Sequence, residues 1–195
     1  MESHFFATIS RMKYIERWAL MRSSRPENLS EHSLEVSMIA HALAVIGNTR
    51  YDRNVDAEKA ALIGLYHDAS EIITGDMPTP VKYFNANIRN AYKDVESIAN
   101  NRLLSQLPED LRPAYEDIFN PKKEDQLLHR LVKAADKLSA LIKCIEEERS
   151  GNQEFHSAKE STERSLKYMA EELPEVKDFL RDFLPSYGKT LDELT

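Results

Sequence analysis

The sequence predicts a single all-α domain, built as a bundle of seven or eight helices. The chain of 195 residues is long enough to bury one substantial core. It contains no alternating β-branched run of useful length for a strand, and only 5 of its residues are glycines. Apolar residues instead recur at the spacing of amphipathic helices along most of the chain. These observations favour one helical domain over residues 1–195.

The first helix is predicted over about 4–16. Phe5, Ile9 and Met12 would then share one face at three- and four-residue spacing. The stretch "ERWALMRSSRPEN" follows, and its proline at position 26 is typical of a connector. The helix is therefore expected to end before the connector begins.

Capping residues predict the limits of the second and third helices. Asn28 can cap the second helix, and Glu31 can close a capping box three positions later. Gly47 is its predicted stop. The third helix is predicted as one continuous element from an Asp56 cap to Gly75.

Four or five further helices complete the predicted bundle. A long amphipathic helix should cover about 84–107, a short one should follow Pro108, and another long one should cover about 124–148. The last two are expected over about 152–172 and 174–183, the second with a proline at its tolerated first position. The predicted apolar stripe of the first long helix is Phe84, Ile88, Tyr92, Val95, Ile98 and Leu103.

Composition excludes several classes of function. The net charge of −7 argues against a nucleic-acid polymer as partner, because such binding needs clustered Lys and Arg. No apolar run is long enough to span a bilayer, and "MESHFFATIS" lacks the order of a signal peptide. The single cysteine, Cys144, is expected to be a small buried apolar residue. A cytoplasmic protein without a membrane partner is the expectation.

Two histidines and two carboxylates are predicted to point toward the same interior, with Glu71 on the surface next to one such pair. His67, Asp68 and Glu71 lie within one turn and a half of helix, so they project over one surface. His32 begins the core-facing row of the second helix, and Asp136 lies beside the apolar stripe of the later long helix. Each residue alone is more often a hydrogen-bonded core or boundary group than a ligand. Their combination on three apolar helices is more specific.

This order of residues resembles the HD-domain metal-dependent phosphohydrolases, whose signature is H…HD…D. The blocks "SHFFATISRMK", "RWALMR", "SEHSLEV", "LYHDASEIITGDMPTPVKYFN" and "KAADKLSALIKC" are similar to the bacterial HD-domain 5′-deoxynucleotidases, which remove phosphate from deoxyribonucleoside 5′-monophosphates. The likeness extends from about residue 3 to the final "LDEL". Nothing is carried over from "SSRPENLS", about 108–126 or 150–180. The resemblance implies an HD-domain helical bundle.

The resemblance also implies roles for individual residues. It implies that Glu71 assists the attacking water, that Arg17 orients the phosphate, and that Asp68 belongs to the catalytic group. The implied metal ligands are His32, His67, Asp68 and Asp136. The implied substrate site is Arg17, Trp18, His32, Asp76, Met77, Pro78, Thr79 and Asp136.

Physical chemistry agrees with a metal at this position. A phosphate monoester dianion repels an incoming hydroxide, so catalysis needs positive charge and a lowered pKa for the attacking water. The mixed nitrogen and oxygen donors favour a divalent transition metal, with Co²⁺ or Mn²⁺ plausible and Zn²⁺, Fe²⁺ or Ni²⁺ compatible. His129, the other histidine near Asp136 in sequence, lies ~10 Å away along a helix. One metal per chain is therefore expected.

The pair Arg17–Trp18 has two interpretations. From spacing alone it predicts a surface arginine beside a core tryptophan. Under the resemblance, Arg17 presents a planar fork to phosphate oxygens, and Trp18 closes off the 2′ position of the sugar. A merely apolar wall rejects an added hydroxyl by only ~10²-fold, so stronger selection needs a steric clash. Asp76 could accept a hydrogen bond from the sugar 3′-hydroxyl.

Two rival functions stay open at this point. One is another HD phosphohydrolase that acts on ribonucleotides, cyclic nucleotides or nucleotide polyphosphates. The other is a helical sensor module that keeps the metal without chemistry. Glu71 and Arg17 favour an enzyme, since neither is needed to hold the metal. The expected partner is a small-molecule dNMP, and the resemblance suggests a homodimer.

Overall fold

The computed structural model describes residues 2–82, 84–120 and 122–195. Tyr83, part of one block that carries the resemblance, lies outside them. Seven of the described helices have eight or more residues, which confirms the predicted bundle, and four are short pieces. The helices are α1 (Phe5–Ile9), α2 (Leu29–Arg50), α3 (Ala57–Tyr66), α4 (Glu71–Thr74), α5 (Thr79–Lys82), α6 (Ala86–Leu104), α7 (Arg112–Phe119), α8 (Gln126–Arg149), α9 (His156–Glu172), α10 (Pro174–Asp182) and α11 (Leu191–Leu194).

The first helix is shorter than predicted. After α1 the chain tightens into a 3₁₀ segment, Ser10–Tyr14, and Ile15 turns to an extended conformation. The backbone N–H of Leu29 then donates to the Ile15 carbonyl at 3.0 Å, and the N–H of Arg17 donates to the Glu27 carbonyl at 2.9 Å. These bonds close the connector into a loop, the 15–29 loop, whose two ends run antiparallel. Pairing with a distant segment thus replaces the last predicted helical turn.

Helix α2 begins as predicted and ends later. The Asn28 side chain accepts bonds from the N–H groups of Ser30 and Glu31, and Glu31 closes the capping box. Gly47 does not stop the helix, which continues to Arg50. A Cβ at Gly47 would lie 2.9 Å from Oε1 of Glu175, so this glycine makes room for a neighbouring side chain. The predicted stop was wrong because a packing glycine resembles a terminal one in sequence.

The third predicted helix is broken at the residues of chemical interest. Helix α3 ends at Tyr66, a turn covers 67–70, and α4 begins at Glu71. The His67 side chain bonds the Gly64 carbonyl, which in a regular helix accepts the main-chain N–H four residues later. The chain tightens there, and the Glu71 N–H donates to the Asp68 carbonyl three residues earlier. Gly75, with φ +73°, ends α4 as predicted.

Helix α6 is less buried than its sequence predicts. Tyr92 and Leu103 are buried, but Phe84 and Ile98 keep 76% and 67% of their surfaces exposed. Phe84 precedes α6, which begins at Ala86 and not at the predicted position 84, and Ile98 lies on a neighbouring, exposed face of the helix. The buried residues of α6 are Tyr92, Ala99, Leu103 and Leu104.

The core has two parts, and the helices of the candidate site belong mainly to the larger one. Buried side chains of α2, α3, α8, α9 and α10 form that part, and a smaller cluster joins α1, α6 and α7. Gly64 of α3 packs against the backbone of Ser37 in α2, where a Cβ would lie 3.0 Å from the Ser37 Cα. Gly64 therefore allows α2 and α3 to approach closely.

The expectations for Cys144 and for membrane-spanning segments can be compared with the structure. Cys144 is fully buried, and burial raises the pKa of its thiol to about 12. Across the described parts of the chain, none of the helices combines the length and apolar character that crossing a bilayer requires.

Candidate active site

Three packed helices bring the four predicted metal ligands together. His32 lies in the first turn of α2, His67 and Asp68 follow α3, and Asp136 lies in the middle of α8. The Nε2 atom of His32 is 3.5 Å from Oδ2 of Asp68 and 3.3 Å from Oδ1 of Asp136. The Nε2 atom of His67 is 3.0 Å from the same Asp68 oxygen. Ligand atoms of His32, His67 and Asp68 lie within 4.8 Å of one another.

A backbone carbonyl fixes the orientation of His67. Its Nδ1 lies 2.7 Å from the Gly64 carbonyl oxygen. Because a carbonyl only accepts, Nδ1 carries a proton, and in the neutral imidazole Nε2 therefore keeps the lone pair. That lone pair is directed at Asp68.

A serine and a glutamate fix His32 in the same way. Its Nδ1 lies 3.0 Å from Oγ of Ser139, and that hydroxyl donates to Oε2 of Glu35 at 2.6 Å. The serine has one proton and gives it to the carboxylate, so it accepts from Nδ1–H of His32. The Nε2 lone pair of His32 therefore also faces the carboxylates. Hydrogen-bonded partners of this kind orient metal-binding histidines.

The cluster fits a bound cation. Nε2 of His32 and Nε2 of His67 are buried and make no hydrogen bond with any described residue. Burial alone would raise the pKa values of Asp68 and Asp136, yet the neighbouring histidines in their protonated form, with Lys137 beside Asp136, hold both below their ordinary range. Neutral histidines instead direct lone pairs at the ionised carboxylates, which repel them unless another positive charge lies between. Two nitrogens and two oxygens form a donor set suited to a divalent transition metal.

Glu71 lies beside this cluster without a hydrogen-bond partner for one of its oxygens. It is 4% exposed, and its Oε2 atom contacts no donor among the described residues. Burial, with the charges of Asp68 and Asp76, raises the pKa of Glu71 to about 9, against the smaller effects of Lys82 and Arg17. This buried carboxyl group could exchange a proton with a molecule bound next to it.

Arg17 and Trp18 are held by one acidic side chain. Nη1 of Arg17 and Nε1 of Trp18 both donate to Oε2 of Glu27, at 2.6 Å and 2.9 Å. The Arg17 side chain is only 11% exposed, so the interpretation as a surface arginine was wrong. The guanidinium carbon lies 5.6 Å from the centre of the indole ring. The two residues therefore form one rigid pair.

The charge of Arg17 faces the candidate metal ligands. Burial would lower its pKa, but Glu27, Asp136, Asp68 and Asp76 together raise it. Burial likewise raises the pKa of Asp76, and Arg17 opposes that shift. The fixed cation and the acidic cluster are thus electrostatically coupled.

The loop after Gly75, residues 76–79, is related to the other candidate site residues only in part. Burial raises the pKa of Asp76, and both the charge of Arg17 and the backbone N–H of Trp18 oppose that rise. Met77 and Pro78 are partly buried, whereas Thr79 is exposed and begins α5. Of the four predicted loop residues, Asp76 is electrostatically coupled to Arg17 and Asp68.

Sequence reasoning missed three residues that support the site. Ser139 and Glu35 each lie three positions after a predicted ligand, Asp136 and His32, on the same helix face. A search at that spacing could have found both of them. Glu27 offers no such signal, because it reaches Arg17 and Trp18 across the 15–29 loop.

Comparisons with known proteins agree over nearly the whole chain. The family model described as 5′-deoxynucleotidase YfbR-like matches residues 4–187. A 5′-deoxynucleotidase of Erwinia tasmaniensis is 48% identical over 193 residues, which cover 99% of this chain and 96% of that protein.

Solved structures share the fold. An HD-domain phosphohydrolase from Listeria innocua matches with a TM-score of 0.80 and 26% identity over 94% of this chain and 88% of its own. The cyanophage S-2L HD phosphohydrolase DatZ, solved with dA and one catalytic Zn²⁺, has a TM-score of 0.65 over 94% of this chain and 96% of its own. At 19% identity, that second likeness concerns the fold alone.

Proposed function

This chain belongs to the YfbR-like 5′-deoxynucleotidase family, and from that premise we propose that it hydrolyses deoxyribonucleoside 5′-monophosphates to a deoxynucleoside and phosphate. It is an enzyme of the phosphoric monoester hydrolase class, and its chemistry depends on a metal. The observation that carries the proposal is the buried pair of Nε2 lone pairs facing two aspartates, with Arg17 beside them.

One divalent transition metal would be held by His32, His67, Asp68 and Asp136. Co²⁺ or Mn²⁺ is our preferred ion, and the donor set is also compatible with Zn²⁺, Fe²⁺ and Ni²⁺. When bound, such an ion supplies positive charge at the phosphoryl oxygens and lowers the pKa of a water molecule. The fixed tautomers of the two histidines support this assignment.

The surrounding residues would bind the phosphate and exchange protons with the water. Arg17 binds the phosphate with the donors that Glu27 leaves free, in the planar geometry that suits phosphate oxygens. Glu71 takes or returns a proton at the water, since its carboxyl group is buried and its Oε2 atom has no partner among the described residues. Asp68, which lies closest to His67, completes the catalytic group.

The sugar and base would be bound on the side of Trp18. Its ring would occupy the space that a 2′-hydroxyl needs, and Asp76 would accept a hydrogen bond from the 3′-hydroxyl. Met77, Pro78 and Thr79 would border the base, while His32 and Asp136 line the phosphate end of the same site. The electrostatic coupling of Asp76 to Arg17 supports a shared site.

We also propose a homodimer in the cytoplasm, on family likeness and on the single, buried cysteine. The nearest rival is an HD phosphohydrolase for ribonucleotides, cyclic nucleotides or nucleotide polyphosphates, and the other is a silent metal-binding sensor. Glu71 and Arg17 argue against the sensor, since holding the metal needs neither.

Phosphate release from a panel of dNMPs, NMPs and 3′-monophosphates, with each of several divalent metals, tests the function. The dNMPs should be hydrolysed best, and the matching NMPs poorly. Equal rates for dAMP and AMP would favour the broader nucleotidase, and the absence of release with every metal would favour the sensor.

The phosphate role of Arg17 has its own test. Arg17→Lys keeps the charge but loses the fork that can bond Glu27 and phosphate together, so kcat/KM should fall by ~10-fold or more. A lysine variant with wild-type kcat/KM for dAMP would exclude phosphate binding by Arg17.

A further inference from the structure

Glu27 connects the two residues to which the proposed function assigns phosphate and sugar recognition. We propose that Glu27 is a positioning residue that holds Arg17 and Trp18 in one geometry, so that phosphate binding and selection against the 2′-hydroxyl are coupled through a single carboxylate. This inference rests on the proposed function. It adds a positioning residue for recognition that is not among the four candidate metal ligands.

A single oxygen makes both bonds. Oε2 of Glu27 accepts from Nη1 of Arg17 and from Nε1 of Trp18, and all three side chains are largely shielded from solvent. A charge-assisted bond to guanidinium is short and directional. Because the two donors share one acceptor atom, neither can move without disturbing the other.

The backbone fixes the position of Glu27 itself. Its carbonyl accepts the N–H of Arg17 at 2.9 Å, and the next residues on each strand, Glu16 and Asn28, form the antiparallel bridge of the 15–29 loop. Asn28 in turn caps α2, the helix that carries His32. Glu27 is therefore connected through Asn28 to the start of α2, the helix that carries His32.

Trp18 needs such support because of its backbone. It has φ +61°, in the left-handed region that a bulky residue rarely adopts. Its ring contacts the fully buried Phe155, with ring centres 5.2 Å apart, and its N–H edge is bonded by Glu27. Removing the acceptor would leave a shielded indole N–H without its partner and release one edge of the ring.

Glu147 offers a matched comparison. It is buried and holds the same 15–29 loop, by accepting from the backbone N–H of Ser24 at 2.7 Å and of Arg25 at 3.3 Å. In the described hydrogen bonds it contacts neither Arg17 nor Trp18. A general loosening of the loop should therefore follow from Glu147→Gln as well, whereas loss of the negative charge on the shared acceptor, which weakens both of its bonds, should follow only from Glu27→Gln.

The experiment compares Glu27→Gln and Glu147→Gln with wild type in kcat/KM for dAMP and AMP. Glu27→Gln should lower kcat/KM for dAMP by roughly 10- to 100-fold and narrow the dAMP/AMP ratio. Glu147→Gln should lower the melting temperature and leave that ratio unchanged.

Trp18 is the only tryptophan, so its fluorescence reports the contact without any substrate. The emission maximum should shift and acrylamide quenching should rise in Glu27→Gln, but not in Glu147→Gln. In a Trp18→Phe background, which lacks the indole N–H, Glu27→Gln should no longer change the dAMP/AMP ratio.

Several results would overturn the proposal. One is an unchanged ratio and unchanged emission in Glu27→Gln, and another is an equal effect of Glu147→Gln. If Glu27→Gln does not fold, Glu27→Asp keeps the charge but is one methylene shorter, and it must show the same narrowing and the same emission shift. Failure of the proposed function is a different outcome. In that case wild type does not hydrolyse dAMP, or both Trp18→Phe and Arg17→Lys leave kcat/KM for dAMP and AMP unchanged.

Discussion

The metal cluster and the 15–29 loop are built by different means. The four candidate ligands come from α2, the end of α3 and α8, and a backbone contact at Gly64 sets the spacing of the first two helices. Arg17 and Trp18 instead lie in an irregular loop, where one side chain, Glu27, and one short pairing of backbone determine their positions.

This difference separates two kinds of precision. The cluster depends on packed helices, so its geometry is protected by many small contacts and should survive the loss of any single bond outside the ligands. The loop depends on a few strong bonds, so single substitutions there should change recognition without removing the metal. The predictions below test this division.

The largest effect is expected from removing ligands. His67→Ala with Asp68→Ala should abolish binding of the single transition metal and reduce kcat for dAMP by ~10³-fold or more, because two of four donors are lost. Elemental analysis of the purified double variant measures the metal, and phosphate release measures the activity.

His129→Ala is the control for that experiment. His129 lies on α8, the same helix as Asp136, and its Nε2 atom is buried without a hydrogen bond to the described residues. The His129→Ala variant should keep one metal per chain. Full metal occupancy in the double variant, or loss of metal in His129→Ala, would show that the ligands are not those assigned.

The second effect concerns Glu71, which borders the cluster without belonging to it. Glu71→Ala should keep the metal and bind substrate but lower turnover by ~10²-fold or more, because a positioned group that exchanges a proton with the water is removed. Metal content and kcat at saturating dAMP are the two measurements. Turnover equal to that of wild type would exclude a role in proton transfer, and loss of metal would make Glu71 a ligand.

The sequence predicted the metal cluster better than its surroundings, because the cluster is built on packed helices and its surroundings on an irregular loop. His32, His67 and Asp136 follow the helical period, and periodicity can be read from a single chain. The break between α3 and α4 was missed because it arises from the bond of a side chain, His67, to a carbonyl of its own helix.

The 15–29 loop was less accessible to sequence reasoning. Its pairing joins residues 12 positions apart, Glu16 and Asn28, with no strand pattern on either side. Glu27 in "RPEN" is indistinguishable in sequence from a solvated glutamate. Side-chain bonds across an irregular loop leave no period, so the support of Arg17 and Trp18 could be found only in the folded structure.

The smallest predicted effect tests whether helix spacing sets the cluster. In Gly64→Ala, the higher helix propensity of alanine contributes about 1 kcal/mol of stability. The new Cβ would lie 3.0 Å from Cα and 3.1 Å from N of Ser37, and backbone atoms cannot rotate away. Such overpacking costs about 1–3 kcal/mol, so a net loss of about 1 kcal/mol is expected in urea unfolding.

The second readout for Gly64→Ala is metal affinity. Pushing α3 away from α2 would separate His67 from His32, whose ring centres lie 5.2 Å apart, so affinity in a chelator competition should fall severalfold. Ser37→Ala is the matched control, because it removes the bond from Ser37 Oγ to the Ala61 carbonyl at the same helix contact without adding volume. It should cost about 1 kcal/mol and leave metal affinity unchanged. Equal metal affinities in the two variants would mean that the cluster adjusts to helix spacing, and the division between a rigid cluster and a sensitive loop would then be wrong.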